Sequence, residues 1–156
     1  MGTGTSGGGG PIILNKEGEY EIARFTDGTI RWAFANSNPG WSWRSTGFVA
    51  PLNTWTHIAV VYNNGIITTY GNGTAVHTFN GSGSIGDVVS GQDELWIGNR
   101  MNADGGFDGI MDEIKLYNKA LSDSQIQSLY HTVPEIDSSL MLLTACLFFI
   151  IYKKVC

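Results

Sequence analysis

From Pro11 onward, short apolar stretches follow one another between turn residues. "PIILN" and "YEIARF" read as strands flanking the turn "KEGE", and Asp27-Gly28 is a hairpin turn into "TIRWAFA". "NSNPGWSW" is a loop. "TWTHIAVVY" turns through "NNG" into "IITTY", and "GNG" turns that strand into "TAVHTF". After the Gly/Ser loop "NGSGSIGDVVSGQD" come two more strands, "ELWIGN" and "IMDEIKLY". The period then changes in "LSDSQIQSLY", where Ser122 and Gln125 have the spacing of a capping box and predict one short helix. About eight strands and one helix before Tyr130 define an all-β, antiparallel, meander-rich sandwich. No repeat of fixed period suggests a solenoid or propeller.

The two ends differ from this body. "MGTGTSGGGG", residues 1–10, reads as a flexible Gly-rich linker with too little apolar surface to order itself, and it is not a signal peptide. Residues 11–131 form the sandwich domain and 132–137 a linker. In 138–156, Ser138 to Tyr152 is uncharged and mostly apolar, and Lys153-Lys154 follows. This predicts a C-terminal hydrophobic helix. At ~1.5 Å per residue it reaches about 23 Å, short of a ~30 Å hydrocarbon core, although snorkelling lysines extend it. Apolar residues all round argue against a packed surface helix. The basic end predicts a cytoplasmic C-terminus with the sandwich outside the membrane.

Composition narrows the function classes. A net charge of −5 with nine scattered Lys and Arg excludes a phosphate-binding surface, so no nucleic-acid partner is expected. Both cysteines, Cys146 and Cys156, lie in the tail, so the body carries no internal disulfide, no zinc ribbon and no CxxC motif. His57, His77 and His131 are scattered and form no catalytic order with Ser and Asp. His57, within "TWTHIAVVY", reads as a packed strand residue. "SGGGG" lacks the Lys of a phosphate-binding loop.

The acidic pair Asp112-Glu113 is the obvious catalytic candidate. Strict alternation along "IMDEIKLY" places Ile110, Asp112, Ile114 and Leu116 on one face, with Met111, Glu113, Lys115 and Tyr117 on the other. Two back-to-back carboxylates cannot converge on one glycosidic bond, which needs a separation of roughly 5–10 Å. Glu113 is then solvated or paired with Lys115. Asp112, among large aliphatics, is expected to be partly buried, held by backbone amides or by a structural calcium.

Two segments carry a family resemblance. "PLNTWTHIAVVYNNGIITTYGNGTAV" (Pro51 to Val76) and "LWIGN…FDGIMDEIKLYNKALSDSQIQSLY" (Leu95 to Tyr130) resemble the hallmark segments of the laminin-G-like jelly roll, within the concanavalin A-like lectin and glucanase superfamily. The matching features are Trp-Thr-His-Ile-Ala-Val, the Tyr-x-Asn-Gly turn at Tyr70 to Gly73, Ile-Gly before a variable loop, Gly-x-x-Asp-Glu-Ile and Ala-Leu-Ser at 120–122. "ILNKEGEYEIARFTDGTIRWAF" resembles the strands that precede them. The resemblance implies an antiparallel jelly-roll β-sandwich over 11–131. It also implies further first strands with a Phe-Asp-Gly-type segment. The Gly linker stands in their place, so the expectation is an incomplete chain or, alternatively, a reduced domain with an exposed edge. A calcium site at Asp112 would then lack part of its ligand set.

Aromatic side chains are the better lead to function. Trp41 and Trp43, in "NPGWSWR", lie where no core role is forced, and Arg44 adjoins them. Exposed indoles stack on the apolar faces of sugar rings, while Arg and Asn bind hydroxyls. The polar loop "NRMNADGG" adds Asn99, Asn102 and Asp104 as candidate ligand-binding residues. Trp32, Trp55 and Trp96 read as core residues of strands. "EID" at Glu135 to Asp137 is similar to a laminarinase-type motif but has Leu140 where the third acid belongs, and it follows a Pro outside the domain.

The tail order Val-Pro-Glu, Ser-Ser, apolar helix and terminal basic pair resembles the PEP-CTERM sorting signal of exported bacterial proteins, with Ile136 in place of a second Pro. The expectation is a non-catalytic, extracytoplasmic, membrane-associated module that binds a glycan or a surface protein. A remnant glucanase of the same superfamily is the alternative from another class, and a ligand-free structural envelope protein is a third. A convergent carboxylate pair on one sheet face would favour the glucanase.

Overall fold

A computed structural model describes residues 10–101, 105–132 and 146–152. The elements in chain order are β1 (Ile12–Lys16), β2 (Tyr20–Arg24), β3 (Thr29–Phe34), β4 (Arg44–Val49), β5 (Thr56–Asn63), β6 (Ile66–Gly71) and β7 (Thr74–Asn80). They continue with β8 (Leu95–Ile97), β9 (Ile110–Tyr117), α1 (Asp123–Thr132) and β10 (Cys146–Tyr152). Two five-stranded sheets and one short helix are the elements of the expected jelly-roll class. The chain divides into two compact units, Met1–Ala50 with Gly81–Asp108, and Pro51–Asn80 with Gly109–Cys156.

The first unit carries the sheet β4-β3-β2-β1-β8, antiparallel throughout. Its core follows from period-two alternation: Ile30, Trp32 and Phe34 share one face of β3 and are each fully buried. Ile22 on β2 and Leu14 on β1 sit beside Trp32 in register and extend that face. The edge strand β4 was not anticipated. Its sequence "RSTGFV" lacks alternation because only Thr46 is buried, held by its hydroxyl donating to the Ile30 carbonyl at 2.7 Å. At the opposite edge, Trp96 corrects the expectation of a core tryptophan. It is 37% exposed, between Leu95 at 41% and Ile97 at 47%, because β8 is only three residues long and lies outermost.

The second unit carries the sheet β7-β6-β5-β10-β9 and α1. Asn64-Gly65 and Asn72-Gly73 both take positive φ, the backbone geometry that tight two-residue hairpins require. Ala59, Val61 and Tyr70 on the sheet pack with Leu121 and Ile126. The expected capping box starts the helix: the Ser122 amide donates to Gln125 Oε1 at 2.9 Å, and the Gln125 amide to Ser122 Oγ at 3.3 Å.

Two expectations change here. Cys146–Tyr152 is a strand rather than part of a hydrophobic helix, pairing parallel with both β5 and β9, so this sheet is mixed. A strand of apolar residues with neighbours on both sides satisfies its backbone as fully as a helix would. Residues 133–145 and 153–156, including "EID", lie outside the described residues. Asp112 is exposed, not partly buried, because alternation breaks beside it. Glu113 has φ of 51°, its amide bonds back to Asp112 Oδ1 at 2.8 Å, and the β9–β10 register shifts there. Glu113 does pair with Lys115, at 2.6 Å.

Candidate functional site

One face of the first sheet gathers the polar chemistry of its unit. Cross-strand register sets Trp96, Asn15, Glu21 and Ala33 in one row and Ala23, Arg31 and Ser45 in the next. These residues alternate with the core set Leu14, Ile22 and Trp32, so they project from the other side of the same strands.

Glu21 is the centre of the first row. It is 1% exposed, as is Asn15. Asn15 Nδ2 donates to Glu21 Oε1 at 2.5 Å and to Glu17 Oε2 at 3.2 Å. Arg100, from the loop after β8, reaches both carboxylates, at 2.6 Å from Glu21 and 3.2 Å from Glu17. Burial pushes the Glu21 carboxyl up to about 7, helped by the charge of Glu17 and opposed by Arg100 and Asn15. Desolvation therefore outweighs a close guanidinium, and Glu21 changes charge near neutral pH. Asn15 Oδ1 and Arg100 Nε are buried and have no partner among the described residues.

The second row opens onto an aromatic and charged patch. The half-buried Phe25 and Trp43 meet edge to face, with centroids 5.3 Å apart and planes at 74°. The Arg31 guanidinium lies 4.1 Å from the Phe25 centroid and pairs with Asp27 at 2.8 Å. Asp27 also accepts the Thr29 amide and hydroxyl, bonds that hold its carboxyl well down, at about 2. An aromatic surface with a fixed guanidinium and carboxylate can stack a ring and bind hydroxyls at its rim.

Of the residues singled out from sequence, Trp43 belongs to this patch. Trp41 is half-buried in the same loop, which contains a cis Asn38-Pro39 bond. Arg44 is exposed and sits opposite Trp32, so alternation turns it to the other face from Ser45. Asn99 is half-buried with its Oδ1 accepting the Arg100 amide at 2.9 Å, which orients the loop bearing the Glu21 partner. Asn102 and Asp104 lie outside the described residues. Asp112 stands in the other unit, and among the described residues no three His, Cys, Asp or Glu side chains gather to hold a metal. Sequence reading missed Asn15, Glu17, Glu21, Phe25, Arg31, Arg100 and the exposure of Trp96. Alternation in "YEIARF" was the available signal, since it sets Glu21 on one face with Ala23 and Phe25.

The turn shared with the family motif does structural work in the second unit. Tyr70 donates its hydroxyl to Asp123 Oδ1 at 2.6 Å, tying β6 to the start of α1. Asn72 Oδ1 accepts the His57 amide at 3.0 Å. Gly73, at φ of 76°, lies under Tyr130, where a Cβ would come within 2.9 Å of the ring. Tyr130 also covers His57, with centroids 5.6 Å apart. His57 is 4% exposed, and neither ring nitrogen has a partner among the described residues. Burial, with a smaller contribution from Lys115, lowers its pKa to about 4.

Comparison with known proteins agrees with this architecture. The model of a laminin-G-like family, described as the concanavalin A-like lectin/glucanases superfamily, matches residues 3–127. The chain belongs to that superfamily, whose fold serves carbohydrate-binding and related modules. Among solved structures it is similar to an S-layer domain-containing protein (residues 221–444) from Clostridium thermocellum. Identity is 21% over 83% of this chain and 67% of that one, with a TM-score of 0.46. A comparison with curated proteins finds no match.

Proposed function

We propose that this chain is a non-catalytic binding module that recognises carbohydrate, or a glycan-bearing surface partner, through the Trp43–Phe25–Arg31–Asp27 patch of the first sheet. The observation that carries the reading is a half-buried aromatic pair with a guanidinium held over one ring. Stacking supplies affinity, and the fixed charges supply orientation. Trp96, at the far edge of the same face, extends the surface available to a longer glycan. The work site is extracytoplasmic, with the C-terminal segment as the attachment to a membrane. The sequence of that segment supports this, through its uncharged run and terminal lysines. A glycan-array screen of the chain, repeated with Trp43→Ala and Arg31→Ala, tests the reading. Glycan hits lost by both variants support it, whereas hits retained by both sink it.

One observation favours the hydrolase alternative: Glu17 and Glu21 do converge on one side of the sheet, and Glu21 holds a proton near neutrality. Arg100 and Asn15 bridge the two carboxylates, however, and engage both in hydrogen bonds within the fold. The arrangement is that of a buried ionic network. Reducing-sugar release from β-glucans that disappears in Glu21→Gln would reverse this preference. Calcium remains a proposal on Asp112 alone, tested by calcium-dependent melting of the wild type against Asp112→Asn.

A further inference from the structure

The apolar tail has two uses that exclude each other. As a membrane segment, Ser138 to Tyr152 must enter the hydrocarbon region with Lys153-Lys154 at the interface. As a strand, Cys146–Tyr152 fills the place between β5 and β9, with Leu147 to Ile151 registered on Thr56 to Val60 and Cys146 to Tyr152 on Ile110 to Tyr117. The same residues cannot hydrogen-bond to two sheet neighbours and cross lipid, where every backbone group must be satisfied within the segment.

We propose that Cys146–Tyr152 exchanges between the sheet and a lipid bilayer, so that membrane attachment withdraws β10 and opens a strand-wide gap between β5 and β9. The inference rests on the membrane reading of the tail given above. Three features make β10 the strand that can leave. Both of its ladders are parallel, the weaker arrangement per residue, while the other ladders among the described strands are antiparallel. Its register on β9 breaks between Phe148 and Ile150, opposite the left-handed Glu113. It is also uncharged throughout, so the same residues are compatible with hydrocarbon.

Withdrawal has a consequence away from the tail. β5 keeps β6 as a neighbour, but β9 is outermost and has β10 as its partner in the sheet. Release therefore strips β9 of its ladder. Amides of Ile110–Tyr117 become reporters of an event they do not undergo themselves, since β9 carries Asp112, Glu113 and Lys115 and does not enter lipid.

The experiment combines vesicle flotation with hydrogen-exchange mass spectrometry on the full chain. The probe is vesicles of phosphatidylcholine with phosphatidylglycerol. Without vesicles, peptides covering 146–152 and 110–117 are protected. With vesicles the protein floats, and β9 amides exchange at least roughly tenfold faster while those of β6 are unchanged. A tethered form tests the exchange directly. Ile110→Cys with Cys156→Ser, oxidised so that position 110 bonds to its register partner Cys146, stays in the soluble fraction and floats again after reduction. Flotation with β9 protection intact, or flotation of the oxidised form, overturns the exchange while leaving the membrane reading standing. Failure of the wild-type chain to float overturns both. Unprotected 146–152 amides without vesicles also overturn the proposal.

Discussion

Replacing Glu21 by Gln should stabilise the first unit at alkaline pH and do little in acid, the reverse of breaking an ordinary ion pair. The Glu21 carboxyl is held at about 7 in the folded protein, against an ordinary value of 4.5. A carboxyl raised in this way contributes stability that is complete below about pH 4.5 and lost as pH rises through about 7, because the unfolded chain ionises first. At 1.36 kcal/mol per pKa unit, the loss between about pH 4 and pH 8 is roughly 3 kcal/mol. Gln has no proton to lose and still offers an oxygen to Asn15 and Arg100, and Arg100 keeps Glu17 as an ionic partner. The assay is denaturant unfolding at several pH values, followed through tryptophan fluorescence, with Trp32 and Trp43 reporting on this unit. The predicted result is a gap between Glu21→Gln and wild type that grows by roughly 3 kcal/mol in favour of the variant from about pH 4 to pH 8. Other titrating groups are common to both chains and drop out of the difference. A pH-independent gap, or one that grows in favour of wild type, would show that Arg100 prevails over burial and that Glu21 is ionised throughout.

Three further outcomes follow from the same geometry. His57 is held neutral by burial at about 4, below its ordinary 6.5. Its contribution is present above about pH 6.5 and disappears as pH falls toward 4, so wild type should lose roughly 3 kcal/mol more than His57→Phe over that window, measured by urea unfolding. Gly73→Ala puts a Cβ against Tyr130 at a positive φ; melting should show a loss of about 1–3 kcal/mol, and an unchanged melting temperature would mean that Tyr130 does not pack there. Tyr70→Phe leaves Asp123 without its hydroxyl donor and should cost about 1 kcal/mol in the same assay, with no effect on a glycan bound by the first sheet.

Alternation and turn chemistry made most of the fold legible. Where a run rich in apolar and β-branched residues ends at Asn-Gly or Asp-Gly, as with β5, β6 and the β2–β3 hairpin, its position could be read directly. Reading failed where tertiary context replaces the local pattern. β4 is an edge strand whose only buried side chain is Thr46, so no hydrophobic signal marks it. Asp112 was assigned to a buried face by an alternation that Glu113 interrupts with a left-handed backbone. The tail shows the deepest ambiguity, since a wholly apolar run suits a membrane helix and a strand flanked on both sides equally well, and only its neighbours decide.

The candidate site was half legible for a related reason. Trp43 could be singled out because a loop tryptophan has no evident core role. Its partners Phe25 and Arg31 come from a different hairpin, and only the β2–β3 register brings them together. Glu21 was hidden because nothing local to "YEIAR" says that Arg100, far along the chain, folds back onto it.

The most direct test of the account is an NMR titration of the labelled chain with a glycan from the array screen, following indole N–H and arginine side-chain signals. The account predicts that Trp43 and Arg31 shift together and saturate with one affinity, while the buried Trp32 stays in place. Perturbation that leaves Trp43 and Arg31 untouched and falls on the second unit would contradict it.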